Sequence, residues 1–382
     1  MKILVFYSGY LPGKKYGGPV TSLYNFTELL GNENEIYIVC LNHDLGETIV
    51  YSNICDGWNT VGKAKVLYLP DSSYKKTSFS SIIKELEPDC IYVSSIFSAK
   101  HTLPALTLSK ENHIPILLAP RGELNNNALA LKSLKKKIYL KALKATHTLD
   151  NVWFQATSKE EKDNIINNLG VVENTVFLLP NIPQIPRHKA SVNKETGVLK
   201  ICFVGRIVEN KKLDLAIKAI SNSKHDIIFD IYGPNEDANY YEYCEGLIEI
   251  APRNVNINYK GAVSQEEIKN LYSNYDCLIS PTRFENYGQA IAEAMLNDVP
   301  VIISKGTTPW DDVVAYNASY LAPIDSIDSF TKCIDDIALM DTSEYNNLLL
   351  RLRLYCNSKF DFEKLKSDYT EAFYTILNNY GE

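Results

Sequence analysis

Two glutamates stand on either side of a segment that could hold a phosphate group. Glu285 and Glu293 are separated by seven residues, and Gly288 lies between them. The pattern predicts a strand end, a loop and a helix that begins near Gly288, where unpaired N–H groups and a partial positive charge suit a phosphate. Glu293 then lies about 7.5 Å further along the helix, where a carboxylate can accept both hydroxyls of a ribose. The alternative is an ordinary strand–loop–helix with solvated glutamates.

A second loop carries two cations, Arg206 and Lys211, just beyond a predicted strand end. A fixed guanidinium and an ammonium at this place could neutralise a departing nucleoside diphosphate without a metal ion. The alternative is a pair of surface cations that open a helix, although cations disfavour helix N-termini. The adjacent aspartates 311–312 and 335–336 follow no strand end with a phosphate loop, so helix surfaces are favoured for them over metal binding.

Strands of a parallel sheet must position these loops. Short apolar runs alternate with amphipathic helical patterns, which is typical of an α/β fold whose sheet is covered on both faces. The predicted strands of the first half are Ile3–Tyr7, Glu35–Leu41, Lys65–Leu69, Cys90–Ser94, Ile116–Ala119 and Val152–Ala156. Those of the second half are Lys200–Gly205, Ile227–Tyr232, Val255–Tyr259, Asp276–Ser280 and Val299–Ser304. Two doubly wound, Rossmann-like domains are therefore expected, with a cleft between the facing strand ends.

The segment Asn181–Gly197 interrupts the alternation with two prolines and without periodicity, and it predicts an interdomain linker. The first domain then spans residues 1–183 and the second residues 198–360.

Composition fits a globular protein with two cores, because 45% of the 382 residues are hydrophobic and 22% are charged. The net charge of −7 argues against nucleic-acid binding. No apolar run approaches the roughly 18–20 residues of a membrane span, and the first ten residues favour a buried strand over a secretion signal. The eight scattered cysteines predict reduced, buried thiols in a cytoplasmic protein.

With these motifs in hand, the chain resembles the family 4 glycosyltransferases of the GT-B fold. Glu285 and Glu293 match that family's paired glutamates, and Arg206 and Lys211 match its diphosphate-binding cations. The resemblance implies that Glu285 contacts hydroxyls of the donor sugar and that Glu293 contacts the ribose. It further implies that Arg206 and Lys211 stabilise the leaving group, so that these two residues and Glu285 form the catalytic set.

The resemblance also implies a set of donor-binding backbone groups and loops. The amides from Asn286 through Tyr287 and Gly288 to Gln289 would hold the phosphates. The segment from Lys260 to Val263 resembles the family's nucleobase-side loop. Three glycines complete the implied donor site: Gly17 and Gly18 in the loop after the first strand, and Gly205.

On the acceptor side, the segment with Arg121 and Glu123 resembles a subgroup active in bacterial surface-polysaccharide assembly. Many relatives have a histidine where this chain has Arg121. Because a guanidinium cannot act as a base, Arg121 would orient substrate or stabilise charge. The alternative is a structural salt bridge between the two residues.

The resemblance implies a retaining, metal-independent transferase with no cofactor. The donor would be a nucleoside-diphosphate sugar, with UDP favoured over GDP, and the acceptor a saccharide or a lipid-linked saccharide. In this fold the last helix, here residues 364–382, crosses back onto the first domain. Two alternatives stay open: an epimerase or phosphorylase of the same architecture, and a catalytically silent nucleotide-sugar-binding protein.

A basic helical segment stands out against the acidic chain. Residues 131–144 contain six lysines, with Leu131, Leu134, Ile138, Tyr139 and Ala142 at helical spacing. A basic amphipathic helix can lie on an anionic bilayer, which predicts peripheral attachment to the inner face of the plasma membrane. The alternative is a solvated helix that covers the first domain.

Overall fold

Two compact units make up the chain in the computed structural model, which describes residues 1–130, 133–184 and 192–380. The first unit comprises Met1–Ile182 together with Phe362–Glu382, and the second comprises Pro183–Asp361. Residues 131–132 of the basic segment, 185–191 of the predicted linker and 381–382 of the last helix lie outside the described residues.

The first unit is built on a sheet whose strands are mostly continuous apolar runs. Its strands are β1 Lys2–Phe6, β2 Glu35–Leu41, β3 Trp58–Val61, β4 Ala64–Leu69, β5 Cys90–Ser94, β6 Ile116–Ala119, β7 Val152–Ala156 and β8 Val176–Leu178. Among the described residues they form an eight-stranded sheet in the order β3-β4-β2-β1-β5-β6-β7-β8. All pairs are parallel except β3 with β4.

Helices cover both faces of this sheet. They are α1 Gly18–Leu30, α2 Lys76–Leu86, α3 Thr102–Asn112, α4 Asn126–Ala130, α5 Ser133–Ala145 and α6 Lys159–Leu169. Alternate residues of a strand point to opposite faces, so Leu4 and Phe6 pack in one cluster with α2, α3, α5 and α6. Ile3 and Val5 pack in the other cluster with α1.

The second unit repeats this plan with a purely parallel sheet among the described residues. Its strands are β9 Val198–Val204, β10 Asp226–Tyr232, β11 Val255–Gly261, β12 Cys277–Ser280, β13 Val301–Ser304 and β14 Tyr320–Ala322. Its helices are α7 Leu213–Ser221, α8 Ala238–Glu249, α9 Gln265–Leu271, α10 Gln289–Leu296, α11 Ile327–Ala338 and α12 Thr342–Lys359. The order β11-β10-β9-β12-β13-β14 is that of the doubly wound fold. The predicted α/β class with two Rossmann-like units is thus confirmed.

The last helix, α13 (Phe362–Asn379), belongs to the first unit. Its apolar stripe is buried: Tyr369, Phe373 and Ile376 join the cluster of α1. The Tyr369 and Phe373 rings lie 5.7 and 6.2 Å from the ring of Phe26 on α1.

The boundary between the two units falls after Ile182, within the predicted linker segment. Beyond residue 191 the chain packs on the second unit, because Lys194 is buried and its N–H donates to Thr342 Oγ1 on α12. One expectation needs correction, because the predicted stripe of α5 is split: Tyr139 packs on the core, whereas Leu134 and Ile138 are 71% and 59% exposed. No helix in the described part of the chain is long and apolar enough to cross a membrane.

Candidate functional site

The two predicted phosphate loops of the second unit come together at the point where its strand order reverses. One loop follows β9 and the other follows β12, and these strands are neighbours in the sheet. Asn210 ties the loops together: its carbonyl accepts from Arg283 N at 2.9 Å, and its Nδ2 donates to the Phe284 carbonyl at 3.1 Å. Ligands of doubly wound sheets bind at this switch point, so the fold positions the loops for one ligand.

Gly233 lets two backbone segments approach closely at this edge of the sheet. Gly205 N donates to the Tyr232 carbonyl, and Gly233 N donates to the Gly261 carbonyl, both at 2.9 Å. A Cβ on Gly233 would lie 1.8 Å from the Gly205 carbonyl oxygen. Sequence reasoning identified Gly205 and missed Gly233, although a glycine directly after a strand was an available signal.

Lys211 and Glu285, predicted from separate motifs, form an ion pair. Both side chains are 18% exposed, so the pair is shielded from water. Lys211 ends a short 3₁₀ turn, Glu209–Lys211, that precedes α7. Burial, and then the charge of Arg206, act to lower the pKa of the Lys211 ammonium. The contacting Glu285 carboxylate opposes both effects and favours the charged form.

Arg206 contributes the second cation of the site. Its Nη1 lies 2.9 Å from Glu236 Oε2, and its side chain is half exposed. Glu236 was not predicted, because its place beside Arg206 depends on the bridge between Ile207 and Asn235. Glu236 therefore orients the Arg206 guanidinium, although no local sequence pattern identifies this carboxylate as part of the site.

Gly288 caps the helix that follows the second loop. It adopts a left-handed conformation (φ 75°) before α10, which begins at Gln289. A Cβ there would lie 3.0 Å from Ile291 Cδ1 and 3.3 Å from Trp310 Nε1. Both the positive φ and these close contacts therefore favour glycine at this position. Trp310 Nε1 donates to the Tyr287 carbonyl at 2.5 Å and fixes this turn. The first N–H groups of a helix have no acceptor within the helix, so those at the start of α10 are suited to bind an anionic ligand.

Glu293 is a buried carboxylate without a cation. It is 2% exposed, and it accepts from Gln289 Nε2 at 3.2 Å and from Tyr272 OH at 3.4 Å. Among the described residues, no cation lies within ion-pair distance of it. Burial raises the pKa of Glu293 to about 7, against the effect of these hydrogen bonds. An unpaired buried carboxylate is costly, which favours a functional role over a solvated glutamate.

The remaining second-unit candidates lie at the end of β11. Lys260 Nζ is 3.8 Å from Asp230 Oδ1 and is well exposed. Val263 is partly exposed in the loop before Ser264, which caps α9. They share the strand-end edge with Gly205 because β10 connects β11 to β9.

In the first unit, Gly17 precedes α1 with a positive φ of 66°, and Gly18 is the first residue of the helix. Arg121 and Glu123 do not form the salt bridge that was the alternative to a functional role. Glu123 instead accepts from Ser95 Oγ at 2.8 Å and from Ile96 N at 2.7 Å. Burial raises its pKa.

Asp312 and Asp335, one from each predicted aspartate pair, accept hydrogen bonds from side chains outside the two loops. Asp312 accepts from Tyr355 OH at 2.6 Å, and Asp335 accepts from Ser223 Oγ at 2.5 Å. The described residues contain no group of three or more histidine, cysteine, aspartate or glutamate side chains arranged to hold a metal ion.

Comparison with known proteins assigns the fold to the GT-B class. The crystal structure of Anabaena Alr3699/HepE in complex with UDP and glucose matches with a TM-score of 0.72 and 14% identity, over 98% of this chain and 100% of that one. Residues 184–348 match the family described as Glycosyl transferases group 1. The match lies within the second unit and includes the candidate loops, so this part of the chain is similar to group 1 glycosyltransferase domains.

Two sequence relatives agree with this domain. An uncharacterized 41.2 kDa protein in the cps region of Klebsiella pneumoniae is 26% identical over 302 residues, which cover 75% of this chain and 77% of the relative. The GDP-mannose-dependent alpha-mannosyltransferase of Corynebacterium glutamicum is 32% identical over 117 residues, or 30% of this chain and 26% of the relative. Together with the fold, these matches support a GT-B glycosyltransferase.

Proposed function

We propose that the protein is a retaining, metal-independent glycosyltransferase of family 4 that transfers a sugar from a nucleoside diphosphate in bacterial polysaccharide synthesis. The observation that carries the proposal is the meeting of Arg206, Lys211, Glu285 and the α10 N-terminus at one switch point. Two cations and a helix N-terminus suit a diphosphate, and adjacent carboxylates suit the hydroxyls of its sugar and ribose.

In this proposal, Arg206 and Lys211 stabilise the charge that grows on the departing diphosphate. Electrostatic stabilisation of this kind acts most strongly where water is excluded, as it is around the Lys211–Glu285 pair. When the donor binds, its diphosphate would pair with the Lys211 ammonium. The Glu285 carboxylate would then leave Lys211 and accept a hydrogen bond from a hydroxyl of the donor sugar. For retention, the leaving diphosphate oxygen would take the acceptor proton on the same face of the sugar, so no protein base is needed.

UDP is the favoured nucleotide and GDP the alternative. Alr3699/HepE was crystallised with UDP and glucose, whereas the mannosyltransferase relative depends on GDP-mannose. The acceptor proposed is a saccharide or a lipid-linked saccharide, in keeping with a relative from a cps region.

A donor-hydrolysis assay tests this function. The full chain is incubated with a panel of UDP- and GDP-sugars, and the released nucleoside diphosphate is measured. Release from one donor should fall about a hundredfold in Arg206→Ala, since one transition-state charge contact contributes about 3 kcal/mol. Arg283→Ala is the matched control, because Arg283 is equally exposed and pairs with Glu209 at 3.1 Å. Binding without release would indicate a silent nucleotide-sugar-binding protein, and release unchanged in Arg206→Ala would refute the site.

We also propose that the first unit lies on an anionic bilayer through the exposed face of α5. This face carries Lys135, Lys137, Lys141 and Lys144, all exposed and without ion-pair partners among the described residues, around the exposed Leu134 and Ile138. Lys136 differs, because its Nζ donates to the Ala128 carbonyl and lies over the Phe97 ring. Each free cation near an anionic surface contributes about 1 kcal/mol, and the two apolar side chains can enter the interface.

Liposome co-sedimentation tests the attachment. Binding should require anionic lipid, fall with rising salt, and weaken when Lys135, Lys137 and Lys141 become Gln. The control changes Lys76, Lys84 and Lys110, on α2 and α3, to Gln and so removes the same charge from other helices. Equal loss in both triple variants, or no binding at all, would leave α5 as a solvated helix.

A further inference from the structure

Arg121 is the only arginine in the sequence of the first unit. The other side chains of this unit that are always positively charged at neutral pH are lysines. It follows β6 in a left-handed conformation (φ 56°), as does Gly122 (φ 78°). For a residue other than glycine this conformation is sterically unfavourable. Such strain persists where the surrounding structure imposes it, and it concentrates at functional positions.

The guanidinium of Arg121 is held by neutral hydroxyls alone. Its Nη2 donates to Tyr92 OH at 2.6 Å, its Nη1 to Ser22 Oγ at 3.3 Å and its Nε to Ser94 Oγ at 3.4 Å. Within the described residues, no carboxylate lies at ion-pair distance from it. A guanidinium has five N–H donors, so this arrangement leaves two of them for another acceptor.

Two carboxylates that could serve as counter-ions, Glu123 and Glu161, accept hydrogen bonds from other groups. Glu123 accepts from Ser95 and from the Ile96 amide. Glu161 accepts from Gly122 N at 2.6 Å and from Thr157 N at 2.8 Å. Arg121, which is partly buried, therefore has no ion-pair partner among the described residues, and Glu161 favours its charged form only from a distance.

A buried network fixes the orientation of the guanidinium. Tyr92 OH donates to Gln155 Oε1 at 2.8 Å, and Gln155 Nε2 donates to Tyr369 OH on α13 at 2.7 Å. Tyr369 OH in turn donates to the Pro180 carbonyl at 3.0 Å. Every member of this chain has a defined partner, so Arg121 is preorganised rather than free to follow solvent.

We infer that Arg121 is the receptor for an oxyanion of the acceptor, either a phosphate or a carboxylate, in the first unit. This inference rests on the proposed glycosyltransferase function, and it adds the chemical class of the acceptor. Planar guanidinium groups bind phosphate and carboxylate through two parallel N–H bonds, which lysine cannot reproduce. A phosphate would come from a phosphorylated or lipid-diphosphate acceptor, and a carboxylate from an acidic sugar.

Calorimetric titration of the full chain tests this inference. UDP is added first, because its affinity reports the second-unit site independently. Glucose 1-phosphate, methyl glucuronide and methyl glucoside are then titrated into the UDP-saturated protein. One of the two anionic sugars should bind with 1:1 stoichiometry at least tenfold more tightly than the neutral glucoside, and which one binds identifies phosphate or carboxylate as the group recognised.

Arg121→Gln should reduce that affinity at least tenfold and leave UDP affinity unchanged, and Arg121→Lys should recover only part of the loss. Folding should survive, since Tyr92 OH retains Gln155 and Ser22 Oγ retains Asn181 Oδ1 as acceptors. Equal binding of charged and neutral sugars would overturn the inference. So would no sugar binding, or anion binding that both variants leave unchanged. A failure of UDP to bind would instead count against the proposed function.

Discussion

Replacing Glu293 by glutamine should make the protein more stable at alkaline pH and weaker as a donor-binding protein. The buried Glu293 has no cation partner, and burial raises its pKa from 4.5 to about 7. Between these values the folded state keeps a proton that the unfolded state releases, so the free energy of unfolding falls as pH rises through this window. Above pH 7 the ionised carboxylate destabilises the fold by about 3 kcal/mol, at 1.36 kcal/mol per pKa unit.

Glutamine removes this cost because it resembles the protonated acid and never ionises. For a unit of this size, about 3 kcal/mol corresponds to roughly 6–12 °C in melting temperature. Thermal melts at pH 5 and pH 8.5 should therefore show Glu293→Gln close to the wild type at the lower pH and clearly higher at the upper one. Glu242→Gln, an exposed change on α8, controls for the loss of one negative charge from the same unit.

The same variant should bind UDP more weakly, by about 2 kcal/mol or roughly thirtyfold, because a neutral amide is a poorer acceptor for ribose hydroxyls than a carboxylate. A melting difference that does not change with pH would refute the assignment of Glu293 as a buried carboxylate with a raised pKa. A stabilised variant with unchanged UDP affinity would confine Glu293 to a structural role.

Three further predictions concern the chemistry and the last helix. Arg206→Ala should lower turnover with little change in donor affinity, in contrast to Glu293→Ala, because only the first contact strengthens as the bond breaks; equal effects on both parameters in steady-state kinetics would contradict this. Transfer should proceed fully in EDTA, since Arg206 and Lys211 supply the positive charge; activity that vanishes with chelator and returns with magnesium or manganese would argue for a metal. Phe373→Ala should lower stability by about 3–5 kcal/mol in denaturant unfolding, because the ring is 1% exposed, whereas Tyr374→Ala, at a position 57% exposed, should not.

The fold was predictable because most strands are continuous apolar runs. The bounds of β2, β5, β6 and β7 agree with the sequence pattern to the residue. Three strands were missed for the same physical reason: β8 and β14 have three residues each and the edge strand β3 only four, too few for a periodicity to emerge.

The apolar stripe predicted for α5 was wrong because one residue of the face that packs on the core is a lysine, Lys136. Tyr139, Leu140 and Leu143 pack inward, and Lys136 joins them by lying over the Phe97 ring. A long basic side chain can cover apolar surface along its stem, which a hydrophobic pattern counts as polar. The apolar residues left outside, Leu134 and Ile138, then mimic an amphipathic stripe in the sequence.

The members of the candidate site could be named from local motifs, but their partners could not. Lys211 and Glu285 lie 74 positions apart, and their contact depends on β9 and β12 being neighbours. The pairing of Arg206 with Glu236 likewise requires the loops after β9 and β10 to meet. Sheet order sets these contacts, and no spacing within one motif encodes it.

Calorimetric titration of UDP and of a UDP-sugar into Lys211 and Glu285 variants tests whether the second unit binds its donor at the switch point. We expect 1:1 binding of UDP to the wild type, a loss of affinity of at least tenfold in Lys211→Ala, and no loss in Glu285→Ala, which releases Lys211 from its ion pair. Glu285→Ala should weaken only the UDP-sugar, because its carboxylate is assigned to the sugar hydroxyls. Should neither UDP nor GDP bind, or should Lys211→Ala bind as tightly as the wild type, the second unit would not hold its donor at this switch point.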